Sequence, residues 1–244
     1  MEDKLTELIN IVSKKFSTTI TSISKKSDWN INFPIPLQLD KRFEYEIGMM
    51  FFSVYNTVFN ITKDNNSIFF TKAEGLSEIK IDPGAREIKN INSYLQNKIG
   101  KDLISIEADT STSKCIMINK VEIKMGTLGK VLGFDQKIYK PGKHESQNKI
   151  NITNILTINI QCSIADGGYL TCGDQASASN TIHTFPAYNV PSGYKYVEQR
   201  KPPIYFPVST KNIEKINIKI TDQDGNLIYF NDENIIISLH LKQV

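Results

Sequence analysis

Ile213-Glu214-Lys215-Ile216-Asn217-Ile218-Lys219-Ile220-Thr221-Asp222-Gln223-Asp224-Gly225-Asn226-Leu227-Ile228-Tyr229-Phe230 is the stretch whose reading decides the fold. Its isoleucines fall mostly at every second position, with Lys, Glu and Asn between them. That is the period of a strand with one face buried and one wet. Asp224-Gly225 lies between two such runs, and Asp-Gly in that setting is a strong hairpin signal. The apolar run Ile235 to Leu241 then closes the chain as a further strand.

Working back from this segment, Ile152 to Ile160 is another β-branched run, leading to Cys162. Leu37, Leu39, Phe43, Tyr45, Ile47, Met49 and Phe51 alternate with polar residues and glycine, so 37–51 reads as a half-buried strand. Asn60-Ile61-Thr62 and Ser67 to Thr71 flank the polar Lys63-Asp64-Asn65-Asn66 and predict a hairpin. Ile79-Lys80-Ile81 ends at the turn Asp82-Pro83-Gly84. Ile88, Ile91, Leu95 and Ile99 recur at helical spacing and stop at Gly100, which predicts a helix. Strands are expected at 103–108 and 115–123, a helical turn at Leu128 to Phe134, and an exposed loop at 135–149. Residues 165–203 show little periodicity and read as one long irregular segment.

The first residues differ. Leu5, Leu8, Ile9, Val12 and Phe16 have helical spacing, and Ser17 to Ser24 is polar, β-branched and tether-like. The expected organisation is therefore an N-terminal arm over 1–32 and a single domain over 33–244. About eight strands, one or two short helices and long loops, without βαβ alternation, predict an all-β protein. The architecture expected is an antiparallel β-sandwich of jelly-roll type.

Composition sets bounds. The 244 residues carry 40% hydrophobic and 23% charged side chains, enough apolar material for a sizeable core. Net charge is +3, with the basic doublets Lys14-Lys15 and Lys25-Lys26 near the start. So small and dispersed an excess argues against a dedicated nucleic-acid binder; a contact through the arm is the minority reading. Three cysteines without C-x-x-C spacing exclude a disulfide scaffold and disfavour zinc. No apolar run approaches the roughly 20 residues of a membrane helix, and the start lacks a signal-peptide layout. The chain reads as soluble and made in a reducing compartment.

Chemistry-bearing patterns are absent from the sequence. His144, His183 and His240 stand apart, with no His-x-His or His-x-Asp/Glu pair for a metal. No nucleophile elbow, P-loop or dinucleotide fingerprint occurs. Asp222, Asp224 and Asn226 resemble the start of a calcium loop, but a strand run separates them from Glu233, so a turn is the better reading. No cofactor, metal or catalysis is expected. What does gather is aromatic: Phe185, Tyr188, Tyr194, Tyr196 and Tyr205, with Arg200 among them. Tyr with Arg is the composition of a protein–protein hot spot, so these six are the expected subunit contacts; the other reading of the cluster is a well-packed loop covering one edge of the sandwich.

The order of motifs carries a resemblance. Leu39-Asp40-Lys41-Arg42-Phe43-Glu44-Tyr45-Glu46-Ile47-Gly48-Met49, Ile81-Asp82-Pro83-Gly84 with the helix after it, Leu128-Gly129-Lys130-Val131-Leu132-Gly133-Phe134-Asp135, and the closing part from Tyr205-Phe206-Pro207-Val208 through the Ile236–Leu241 strand stand in one sequence. Together they resemble the penton-like minor capsid proteins of Polinton/Maverick elements and related virophage and adenovirus-like viruses, over roughly residues 37 to 242. Tyr45 departs from that pattern, and 165–203 follows it only loosely. The resemblance implies a jelly roll at a five-fold vertex of the virion. It implies a homopentamer that contacts the major capsid protein and is made in host cytoplasm. The alternative is a receptor- or glycan-binding sandwich, such as a fibre head or lectin.

Overall fold

A computed structural model describes residues 15–72, 75–152, 155–172, 175–188 and 190–244. The helix expected from Leu5, Leu8, Ile9 and Val12 lies outside them. The chain divides into two compact units: one combines residues up to 57 with Ile155–Val244, and the other is Val58–Asn154.

The first unit opens with β1 (Ser17–Ser24), β2 (Asp28–Gln38) and β3 (Tyr45–Tyr55). The second unit follows as β4 (Ser67–Lys72), β5 (Gly75–Lys80), α1 (Ile88–Ile99), β6 (Ile104–Asp109), β7 (Lys114–Asn119), β8 (Ile123–Met125), α2 (Gly129–Leu132), β9 (Ile138–Tyr139) and β10 (Gly142–Lys149). The chain then returns to the first unit with β11 (Thr157–Cys162), β12 (Gly168–Cys172), β13 (Gln175–Ser179), β14 (Thr181–Pro186), β15 (Lys195–Gln199), β16 (Tyr205–Pro207), β17 (Asn212–Thr221) and β18 (Ile235–Gln243).

Two antiparallel sheets form the first unit. One runs β1-β18-β3-β15, with β16 also on β3, and the other runs β14-β11-β17-β2. Set aside the β12–β13 hairpin and β16, and number the remaining strands one to eight. The sheets then read 1-8-3-6 and 5-4-7-2, the strand order of a jelly roll. Most connections cross from one sheet to the other, so neighbours in a ladder are distant in sequence. Alternation explains why these strands sit where they do. Ile213, Ile216, Ile218 and Ile220 point into the sandwich from β17, and Ile235, Ile237, Leu239 and Leu241 from β18, all at 1% exposure or less. The spacing between Ile213 and Ile216 widens because Glu214 alone opposes Phe33-Pro34-Ile35-Pro36 on β2. Both prolines fall in this bulge on an edge strand, where a missing N–H costs no ladder bond, and they blunt the edge.

Several expectations are corrected by this topology. Ser17–Ser24 is no tether: its register places Ile20 opposite Leu239 and in the core. The alternating run 37–51 is two strands, because Leu39 to Glu44 turns between them; Asp40 accepts from the Arg42 backbone N–H at 3.0 Å there. Asp224-Gly225 makes a turn but no hairpin ladder. Thr221↔Leu227 is a single bridge, and β17 and β18 belong to opposite sheets. The Asp222 carboxylate instead accepts the N–H groups of Asp224 and Asn226 at 2.9 and 2.8 Å. The long segment 165–203 holds β12 to β15, whose short strands of Thr, Ser, Ala and Gln carry too little apolar contrast to show a period.

In the second unit, β5-β4-β8-β9 form one sheet and β10-β7-β6 another. The predicted partner of β4 is wrong: Ile61 only bridges Gly84, while β4 pairs β5 and β8. The expected loop 135–149 is β9 and β10, pairing without apolar alternation. Helix α1 spans the predicted residues and buries Ile91 and Leu95. Asn92 and Gln96 tie it to β6, accepting from Ile106 N–H at 2.8 Å and donating to Ile104 O at 3.1 Å. Gly133 closes α2 at φ 82°, and a Cβ there would run into the Asn148 carbonyl.

Phe52 and Leu95, both at 0% exposure, anchor the cores of the two units. Phe52→Ala and Leu95→Ala are each expected to cost about 3–5 kcal/mol in urea denaturation. The single tryptophan, Trp29 on β2, reports the first unit directly by fluorescence. Thr221→Val should raise stability by about 1 kcal/mol, because the buried Thr221 hydroxyl has no hydrogen-bond partner among the described residues.

Candidate assembly surface

The six expected contact residues separate into three groups. Phe185 on β14 and Tyr196 on β15 are 4% and 5% exposed, so they are core residues and are withdrawn as contacts. Strand alternation turns both inward: Phe185 packs 5.5 Å from the Phe52 ring and 6.1 Å from Tyr196. The Tyr196 hydroxyl donates to Ala187 O at 3.0 Å, and burial pushes its phenol above the usual range. Tyr188 and Tyr194 are 62% and 66% exposed, and Arg200 is exposed beyond β15. The loop carrying both tyrosines is held to the end of β3, where Asn56 N–H donates to Tyr194 O and Gly193 N–H to Asn56 O, each at 2.7 Å.

Tyr205 lies half-buried on the outer face of the β1-β18-β3 sheet. Its approach requires Gly48, where a Cβ would come within 2.6 Å of Ile204 O. The Tyr205 hydroxyl and the Ser17 hydroxyl engage opposite nitrogens of His240, at 2.7 Å to Nδ1 and 2.8 Å to Nε2. Lys242 Nζ stands 3.8 Å from the Tyr205 ring centroid and pairs with Glu46 at 3.4 Å. This network adds side-chain contacts with β1 and β18 to the ladder that joins β16 to β3. His240 does point outward, as alternation with Leu239 and Leu241 predicts.

The same outer face carries an apolar row that sequence reading missed. Ile23 stands opposite Ile236, Ile236 opposite Ser53, and Ser53 opposite Val197. Ile23 is 64% and Val197 56% exposed. Each sits singly in its own strand, so only the register shows that they share a line. On β2, Ile35 protrudes between Pro34 and Pro36 at 83% exposure.

His183, expected in an irregular loop, is buried on β14. It stacks on Phe185 at 5.7 Å, and its Nε2 lies 3.4 Å from Glu198 Oε2 on β15. The pair links the edge strands of the two facing sheets. Burial holds the imidazole below its ordinary value of 6.5; Glu198 opposes that shift and Arg200 adds to it. Burial also pushes the Cys115 thiol up to about 12 and Cys162 up to about 11, so both pack as protonated apolar groups. Among the described residues, no three His, Cys, Asp or Glu side chains gather as metal ligands, and no helix is long and apolar enough to cross a membrane.

The first unit is thus a jelly roll that presents an aromatic loop and an apolar row, with its polar pairs fastening strands together. The solved structure of the mavirus penton protein has the same fold. It matches with a TM-score of 0.50 at 11% identity, over 95% of this chain and 100% of that one. The Sputnik virophage, solved by cryo-EM, gives a TM-score of 0.43 at 12% identity, covering 93% of this chain and 97% of that chain. No protein-family profile matches the sequence, and no curated protein matches it.

The lowered His183 titration fixes a pH dependence. As pH falls through about 6.5 the unfolded chain takes up a proton before the folded chain does, so stability is full above that value and declines below it. Thermal melting should therefore show a clear loss between about pH 7.5 and pH 5.5. In His183→Gln the loss should be smaller; an unchanged loss would place the acid sensitivity elsewhere.

Proposed function

We propose that the chain is a penton-type minor capsid subunit that assembles as a homopentamer at the vertices of a virion. One observation carries this reading: the jelly-roll strand order is complete, and the shared fold with the mavirus penton protein runs over the whole of that chain. A sandwich fixed by long-range ladders supplies a rigid wedge, and loops at its rim are free to meet a neighbour. Five-fold closure needs a heterologous interface, one patch against a different patch.

The two surfaces suited to that contact are the loop of Tyr188 and Tyr194 and the row Ile23, Ile236 and Val197. Exposed aromatic and aliphatic residues of this kind form the apolar centre of protein interfaces. In this reading the partners are further copies of the chain and the major capsid protein, and the action is binding rather than catalysis. Exposed Tyr188 and Tyr194 also favour a second reading, a receptor- or glycan-binding sandwich, in which the same tyrosines stack on a ligand.

Size exclusion with light scattering should give a particle of five chain masses, and electron microscopy a five-fold class. Tyr194→Ser combined with Val197→Asp should shift that particle toward monomer without loss of β-sheet circular dichroism. A strict monomer at high concentration, or a trimer that binds glycan, would reject the pentamer.

A further inference from the structure

The charge of the chain is unevenly placed. Residues 58–154 hold fifteen basic against eleven acidic side chains, while the remainder holds fourteen against fifteen. Within the second unit four of the fifteen basic side chains stand along one rim, made of the turn at Lys101, the end of β7 at Lys120 and the β9–β10 turn at Lys140 and Lys143. Three hydrogen-bonding features hold these segments side by side. Lys120 N–H donates to Leu103 O at 2.9 Å. The amide of Asn119, itself 2% exposed, donates to Val121 O, Tyr139 O and Lys140 O at 2.8, 3.3 and 3.0 Å. Gly142 and Lys143 pair in register with Asn119 and Ile118.

All four lysines are exposed. Elsewhere in the unit Lys80, Lys89, Lys114 and Lys137 each have a carboxylate partner. Among the described residues, Lys101, Lys120, Lys140 and Lys143 have none; Asp102, Glu122 and Glu145 are the nearest acids in sequence, and Glu145 is taken up by Lys114 at 2.8 Å. With strands about 4.8 Å apart, the three backbone segments that carry these lysines span on the order of 10 Å, about one Debye length at physiological salt. Their fields therefore add, and each ammonium is already free to take an external anion.

We propose that this lysine rim binds a linear sulfated polysaccharide. A polyanion laid across three adjacent turns meets the lysines as point charges, which require no fixed bidentate geometry. The rim is poorly suited to nucleic acid. Single strands are held by aromatic stacking; of the rim's rings, Tyr139 is 4% exposed and His144 packs against it at 5.2 Å and is tied to Lys140 O at 2.7 Å. Sequence-specific duplex reading relies on Arg, Asn and Gln reaching base edges, and the exposed cations of the rim are lysines, so any duplex contact there would be to phosphate alone. The proposal rests on the second unit alone and does not depend on pentamer assembly.

The full chain is applied to immobilised heparin, with titrations in rising salt. Wild type should be retained at low salt and released as salt rises. Lys120→Ser/Lys140→Ser/Lys143→Ser should bind about 10-fold more weakly or worse, on the basis of anion attraction per surface lysine. Lys25→Ser/Lys26→Ser/Lys215→Ser removes equal charge from the first unit and should bind like wild type, with both variants keeping the wild-type melting curve. Failure of wild type to bind, an equal loss in the control variant, or tighter binding to duplex DNA or to phosphatidylserine vesicles than to heparin would overturn the proposal.

Discussion

The interior of the jelly roll depends on one constraint: every second side chain of β17 and β18 must face the same dry space from opposite sheets. A shift of one residue in either strand would carry its isoleucines and leucines to water and bring Lys, Asn and His inward. The ladders follow from this. Strand β18 lies between β1 and β3, and β17 between β2 and β11, so two contiguous stretches of sequence occupy the centres of both sheets. Polar contacts refine the arrangement without creating it. The His240 network secures β16, and the His183–Glu198 pair bridges β14 and β15, both at the margins of a core already fixed by apolar packing.

Where strand alternation was strong, the sequence was readable. The inward isoleucines of β17, the apolar run of β18 and the α1 stripe from Ile88 to Ile99 all stand where their periods place them. Where strands are short or polar, it was not. Gln175–Ser179 and Gly142–Lys149 carry no apolar alternation in their sequence, so nothing local distinguishes them from loop. Ser17–Ser24 misled for a related reason: only Ile20 meets the core, and the need for the strand is felt through distant β18.

The candidate surface was legible to a smaller degree. Composition singled out aromatic residues, but it cannot tell an inward from an outward tyrosine. Tyr196 and Tyr194 are two residues apart, yet one packs beneath Ala187 and the other meets solvent, because the chain enters β15 only at Lys195. The exposed row of Ile23, Ile236 and Val197 was invisible, since its members come from three strands separated by most of the chain. The lysine rim has the same character: its charges gather only once Asn119 clamps two turns together.

The strand order has a consequence for biosynthesis. The slot between β1 and β3 stays empty until residues 235–243 have left the ribosome, so one sheet of the sandwich cannot close before then. Residues 58–154, whose contacts are more local, are free to settle long before that. The nascent chain should therefore carry a finished inserted unit beside an open, sticky sheet, which closes when a single strand zips both neighbours at once.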